Sequence, residues 1–243
     1  MSLKTESGIN TYAGHFDLLI NVCKGFGQSY DPVPVNLQIG SLMYQLETVK
    51  KSITAVDVAI PVYLVAEGAR MKKFALLAPL ATRVQAVAGV LGLPDAVIVH
   101  IKEVVRKIRG QRAHKIEPAP EPNSEPARHI SVSQVSFDEQ IEHLNRLIAL
   151  VESQPAYTPA ESDLSVDALK TLLNEMRSTN SDVMAAEVPL TNLRQERNKL
   201  LYAPKTGMID TALAVKEYVK AIFGASSPQY KEVNRIQFRN RKP

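Results

Sequence analysis

One cysteine and no tryptophan among 243 residues exclude a disulfide framework and any zinc site built on paired thiols. Aromatic residues make up only 6%, so a core has to come mainly from Ala, Val, Leu and Ile. Of the five histidines, His15, His100, His114, His129 and His143, no two stand four apart and none closes the Glu-x-x-His pair that lines di-metal helical bundles. Glu139, Glu142 and His143 read as the solvated face of an amphipathic helix. Gly25-Phe26-Gly27 and Gly89 with Gly92 follow no strand, so they read as helix ends and not as a phosphate cradle. There is no nucleophile elbow, Walker sequence or zincin motif. Cys23 falls on an apolar helical stripe, where a small buried hydrophobe is the expected role. These absences argue against an enzyme and indicate no cofactor, metal or small-molecule substrate.

Export and membrane spanning also find little support. The start, Met1-Ser2-Leu3-Lys4-Thr5-Glu6-Ser7, lacks the basic and apolar regions of a secretory signal. The longest apolar stretch, residues 84–101, is interrupted by Gly89, Gly92, Pro94 and Asp95 and cannot cross a bilayer as one helix. With a single thiol, the expected compartment is the reducing cytoplasm. An apolar content of 45% with 22% charged residues is that of a globular chain.

The formal charge of +4 is distributed unevenly. Lys102, Arg106, Lys107, Arg109, Arg112 and Lys115 form one cluster, and Lys231, Arg235, Arg239, Arg241 and Lys242 a second. Eleven of the 29 basic residues lie there beside only two of the 25 acidic ones, which leaves 18 basic against 23 acidic elsewhere. The basicity is local. Such clusters can neutralise phosphates, while lysine and arginine at a helix end also complement its dipole.

An internal repeat is present. Tyr30-Asp31-Pro32 followed by Leu37, Ile39, Leu42 and Leu46 recurs as Tyr157-Thr158-Pro159 followed by Leu164, Val166, Leu169 and Leu173, at a constant offset of 127. Pro61 pairs with Pro189, Leu76-Leu77-Ala78-Pro79 with Leu201-Tyr202-Ala203-Pro204, and Gly92 with Gly224. Lys102-Glu103-Val104-Val105-Arg106 pairs with Lys231-Glu232-Val233-Asn234-Arg235, so the basic clusters end both copies. Between the copies, Pro118, Pro120, Pro122 and Pro126 alternate with glutamates, which predicts an extended spacer with a reach of roughly 40 Å at about 3.1 Å per residue.

Both copies read as helices. Tyr12, Phe16, Leu19, Cys23 and Phe26 repeat the 4, 3, 4, 3 spacing of Phe137, Ile141, Leu144, Ile148 and Val151. Ile39, Leu42, Leu46, Val49, Ile53, Val56 and Ile60 make a heptad seam, which Asn180 and Glu187 interrupt in the second copy. Asn180 reads as a packing device. Pro61 and Pro189 should kink or end this helix, Pro79 and Pro204 suit a first helical turn, and Gly92 and Gly224 suit the left-handed residue after a helix. The expectation is all-α: two tandem antiparallel bundles of about four helices each, at 8–115 and 130–243, joined by a Pro/Glu-rich linker at 116–129.

The second copy carries Ile130-Ser131-Val132-Ser133-Gln134-Val135-Ser136-Phe137-Asp138, Pro189-Leu190-Thr191-Asn192 through Arg197-Asn198 to Leu201-Tyr202, and Phe223-Gly224-Ala225-Ser226-Ser227-Pro228-Gln229-Tyr230-Lys231. In these motifs, and over nearly its whole length, the chain resembles a family of uncharacterised, internally duplicated all-helical bacterial proteins with no established activity. The resemblance implies a bacterial origin and a helical fold, and it transfers no functional residue.

The leading functional expectation is therefore a non-enzymatic structural or protein-interaction protein that binds a protein partner or itself. The first alternative is nucleic-acid or other polyanion binding through Lys102, Arg106, Lys107, Arg109, Arg112, Lys231, Arg235, Arg239, Arg241 and Lys242. The second is membrane insertion by the apolar hairpin around Val90-Leu91-Gly92-Leu93-Pro94. Against insertion stands the reading of that hairpin as buried core.

Overall fold

The computed structural model of the chain describes residues 6–111 and 136–238. The spacer expected at 116–129 lies outside them, as do Arg112, Arg239, Arg241 and Lys242. All regular structure among the described residues is helical, as the periodicity predicts: α1 (Glu6–Gly25), α2 (Ile39–Ala75), α3 (Leu77–Val90), α4 (Asp95–Ile108), α5 (Phe137–Glu152), α6 (Val166–Tyr202), α7 (Met208–Phe223) and α8 (Pro228–Arg235).

The apolar stripes do what their spacing requires. Phe16, Leu19 and Cys23 of α1 are buried, as are Leu144, Ile148 and Val151 of α5. Ser136 opens α5 with a capping box: its hydroxyl accepts from the Glu139 amide at 3.2 Å while the Glu139 carboxylate accepts from the Ser136 amide at 3.1 Å. Two amides that the helix start leaves unpaired are satisfied in this way.

The repeated Tyr-x-Pro segment has a specific task. Tyr30 is buried and its hydroxyl donates to the Leu37 carbonyl at 2.8 Å. Tyr157 does the same to Leu164 at 3.0 Å. Each acceptor closes a short 3₁₀ turn, Val35–Leu37 or Ser162–Leu164, directly before a long helix. The phenol thus fixes the entry angle of that helix and satisfies a carbonyl that water cannot reach.

Both long helices are 37 residues and contain one proline each, Pro61 in α2 and Pro189 in α6. A proline inside a helix loses one hydrogen bond and costs about 3 kcal/mol. Neither helix ends there. Buried apolar residues on both flanks, Val56 and Phe74 in α2 and Val183 and Leu190 in α6, hold each helix in place across the defect. Gly92 at φ 69° and Gly224 at φ 86° adopt the left-handed region at helix ends. Pro79 sits in the first turn of α3, but Pro204 lies in the loop before α7, which begins only at Met208. That loop turns through Lys205 at φ 67°, whose amide donates to the Asp210 carboxylate at 2.9 Å.

Two compact units result, and they cut across the repeats expected at 8–115 and 130–243. One comprises Met1–Tyr63 with Ala186–Pro243, the other Leu64–Ala185. Because the long helices pass through their prolines, each unit draws on both halves of the sequence. The first has a core of Phe16, Leu19, Leu42 and Val49 with Leu201, Met208, Val215 and Val219. The second has Leu77, Val84, Ile101 and Val105 with Leu144, Leu147, Leu169 and Met176. In the first unit Lys216 is buried on α7, donates to the carbonyls of Asn234 (3.5 Å) and Ile236, and lies 5.3 Å from the Phe238 ring. With His15, whose Nδ1 is 2.9 Å from the Gln237 carbonyl, it fixes the segment after α8.

Candidate functional site

The described basic residues divide between the two units. In Leu64–Ala185, Lys102 and Arg109 are exposed, while Arg106 and Lys107 are half-buried. Arg106 Nη1 donates to the carbonyl of Gln111, in the loop just past the end of α4, at 3.2 Å. Lys231 and Arg235 are exposed on α8, in the other unit.

Cys23 is buried and burial pushes its thiol up to about 12, against a hydrogen bond with Tyr30 that lowers it. At neutral pH the thiolate, which is the nucleophilic form, is not populated. Its neighbours match the packing role read from the stripe. Among the described residues, no three His, Cys, Asp or Glu side chains converge as a metal ion requires.

Asn180 is also buried, and it is fully engaged. Its amide donates to Asp138 at 2.9 Å and its oxygen accepts from Arg70 at 3.2 Å. The Arg70 guanidinium stacks 3.9 Å above the Phe137 ring, which meets Phe74 edge-on at 4.8 Å. Lys73 and Glu175 form an ion pair at 2.8 Å on the same two long helices. This polar group sets the mutual register of α2, α5 and α6 within their unit, the use to which a seam asparagine is best suited.

His143 departs from its sequence reading. It is only 6% exposed and neither ring nitrogen has a hydrogen-bond partner among the described residues. The Glu139, Glu142 and His143 triplet is therefore not one solvated face, since the turn of α5 carries His143 inward with Leu144 and Leu147. Burial lowers the His143 pKa, Lys107 and Arg146 lower it further, and Glu139 and Glu142 oppose them. Elsewhere on the same helix pair, α4 and α5 flank an open groove of about 420 Å³ lined by His100, Glu103, Val104, Lys107, Arg146 and Leu150.

Apolar exposure is concentrated on α2. Val58, Val62 and Val65, spaced 4 and 3, are 66%, 61% and 74% exposed. Counted across the one-residue break at Leu76, residues 39–90 contain an 18-residue window of mean hydropathy 1.4, of which only 11% is buried. By length and composition this is the one helical stretch among the described residues able to cross a membrane. The hairpin at 90–99 is more mixed. Leu93 is buried and Val97 and Ile98 pack against the core, while Val90 and Val99 are exposed.

The chain was also compared with known proteins. No protein-family model matches it, and no curated protein or solved structure does so either.

Proposed function

We propose that this chain is a non-enzymatic interaction protein of the cytoplasm, built by duplication of a helical segment, whose task is to dock a protein partner. The observation that carries this reading is the apolar face of α2, where Val58, Val62 and Val65 stand more than half exposed. An apolar row at heptad spacing on a helix is what a second helix covers, and full burial of a valine contributes about 1.5–3 kcal/mol. A second copy of the chain is the first partner to test. Duplication draws support from the equal lengths of α2 and α6, from the matched tyrosine bonds, and from the left-handed glycines at equivalent helix ends.

The test is the molar mass by light scattering of wild type and of the double variant Val62→Lys, Val65→Lys. Wild type is expected to associate at micromolar concentration and the variant to run as a monomer with unchanged helicity. A monomeric wild type that captures no partner through this face overturns the reading.

The second reading is attachment to a membrane surface, favoured by the hydropathy of the same stretch and by the exposed Lys72 beside it. Co-flotation of wild type, but not of the double variant, with anionic vesicles would put it first. Polyanion binding ranks behind both, because Arg106 is engaged with the Gln111 carbonyl. Lys102, Arg109, Lys231 and Arg235 remain as its exposed cations.

A further inference from the structure

His143 sits where a charge has no stable home. Its side chain is turned into the unit formed by Leu64–Ala185, and both ring nitrogens lack partners among the described residues. The charged groups acting on it are Lys107 of α4 and Arg146, Glu139 and Glu142 of α5. Both carboxylates are already committed. Glu139 accepts from the Ser136 amide and hydroxyl at 3.1 and 2.9 Å, and Glu142 accepts from Arg146 Nε at 3.0 Å. Lys107 is a half-buried cation on the facing helix. The one titratable side chain of α3, Arg83, is paired with Asp163, and Lys170 of α6 is paired with Glu152 at the far end of α5. Glu139 and Glu142 act in favour of an imidazolium, but both are held by other donors and neither bonds a ring nitrogen, whereas a neutral ring suffers only its missing hydrogen bonds.

We propose that the α4–α5 pair is a proton-operated clasp: protonation of His143 parts the two helices and exposes the apolar residues between them. Val104, Val105, Ile108, Leu144 and Leu147, all buried in the closed form, become available when it opens. The sign follows from proton counting. The closed form holds His143 neutral, while in the opened form the ring takes a proton near its ordinary value of about 6.5. The opened form therefore binds more protons below that value. Closure is fully stable above about pH 6.5 and weakens as the pH falls further.

Hydrogen exchange on the full chain at pH 7.5 and 5.5, corrected for intrinsic rates, tests this. In wild type, amides of residues 101–108 and 141–151 should exchange roughly tenfold faster at the lower pH, one decade being one pH unit of linkage. Those of α1 and α7 should not change. In His143→Leu, the α4 and α5 amides should keep their protection at both pH values. Equal protection of wild type at both values, or the same acid response in His143→Leu, overturns the clasp. Should that variant fail to fold, the His143 ring is followed by NMR in wild type. A midpoint below the ordinary histidine value, with α4 and α5 signals moving together with it, supports the clasp; a midpoint at or above that value overturns it.

Discussion

A buried phenol that donates a hydrogen bond to a backbone carbonyl has a measurable worth, and this chain carries two such phenols, of which Tyr30 also hydrogen-bonds with Cys23. Tyr30 and Tyr157 each donate to a carbonyl seven residues on, in cores where no solvent replaces the bond. Burial pushes the Tyr157 hydroxyl up to about 12, with Glu161 adding to the effect, so it remains a donor over the whole neutral range. Tyr157→Phe keeps the ring and leaves the Leu164 carbonyl unpaired. The expected loss is about 1 kcal/mol, within the 0.5–1.5 kcal/mol typical of one such bond, read from the denaturant midpoint at constant slope. Tyr30→Phe should cost a similar amount. A neutral result in both would mean that the bond does not set the entry of the long helices.

At the scale of elements, the joint between α6 and α7 is the tightest. A Cβ on Gly207 would stand 2.6 Å from the Ala203 nitrogen and 2.8 Å from the carbonyl oxygens of Ala203 and Leu201, all backbone atoms that cannot yield without unwinding the end of α6. Gly207→Ala should therefore destabilise by about 1–3 kcal/mol. Gly68→Ala, in open space inside α2, should stabilise by up to about 1 kcal/mol through helix propensity. Thermal unfolding of the two variants checks both signs. Much at this scale was legible beforehand. The stripes of α1 and α5, the seam from Leu42 to Val56 and the left-handed glycines all followed from spacing, because one buried face imposes its period on the residue types. The capping box of Ser136 and Glu139 is a feature that only the structure brings out. Other features were not legible. His143 lies among glutamates, and residue type alone does not say on which side of a helical turn the ring falls. The prolines read as kinks or stops because their local cost is visible in the sequence, while the packing on both flanks that carries each helix through them is not. The exposed valines of α2 were hidden for a related reason: an apolar residue announces burial, and only the fold shows which ones go without it.

At the scale of the whole molecule, each core is assembled from residues far apart in the chain. Phe16 and Leu42 share one with Met208 and Val215, and Leu77 and Ile101 share the other with Leu144 and Leu169. Splitting the chain within residues 112–135 should therefore give two fragments that do not unfold cooperatively alone and that regain a cooperative transition when mixed, as followed by circular dichroism. Cooperative unfolding of either fragment by itself would show that the repeat, and not the compact unit, is what folds. The same division bears on synthesis. The unit Leu64–Ala185 is complete once residue 185 has been made, but Met1–Tyr63 shares its unit with Ala186–Pro243. At about 5–20 residues per second, α1 waits roughly 10–40 seconds for its partners on α7. In that interval it has only the residues of α2 to pack against, and Phe16, Leu19 and Ile20 are side chains a chaperone would meet.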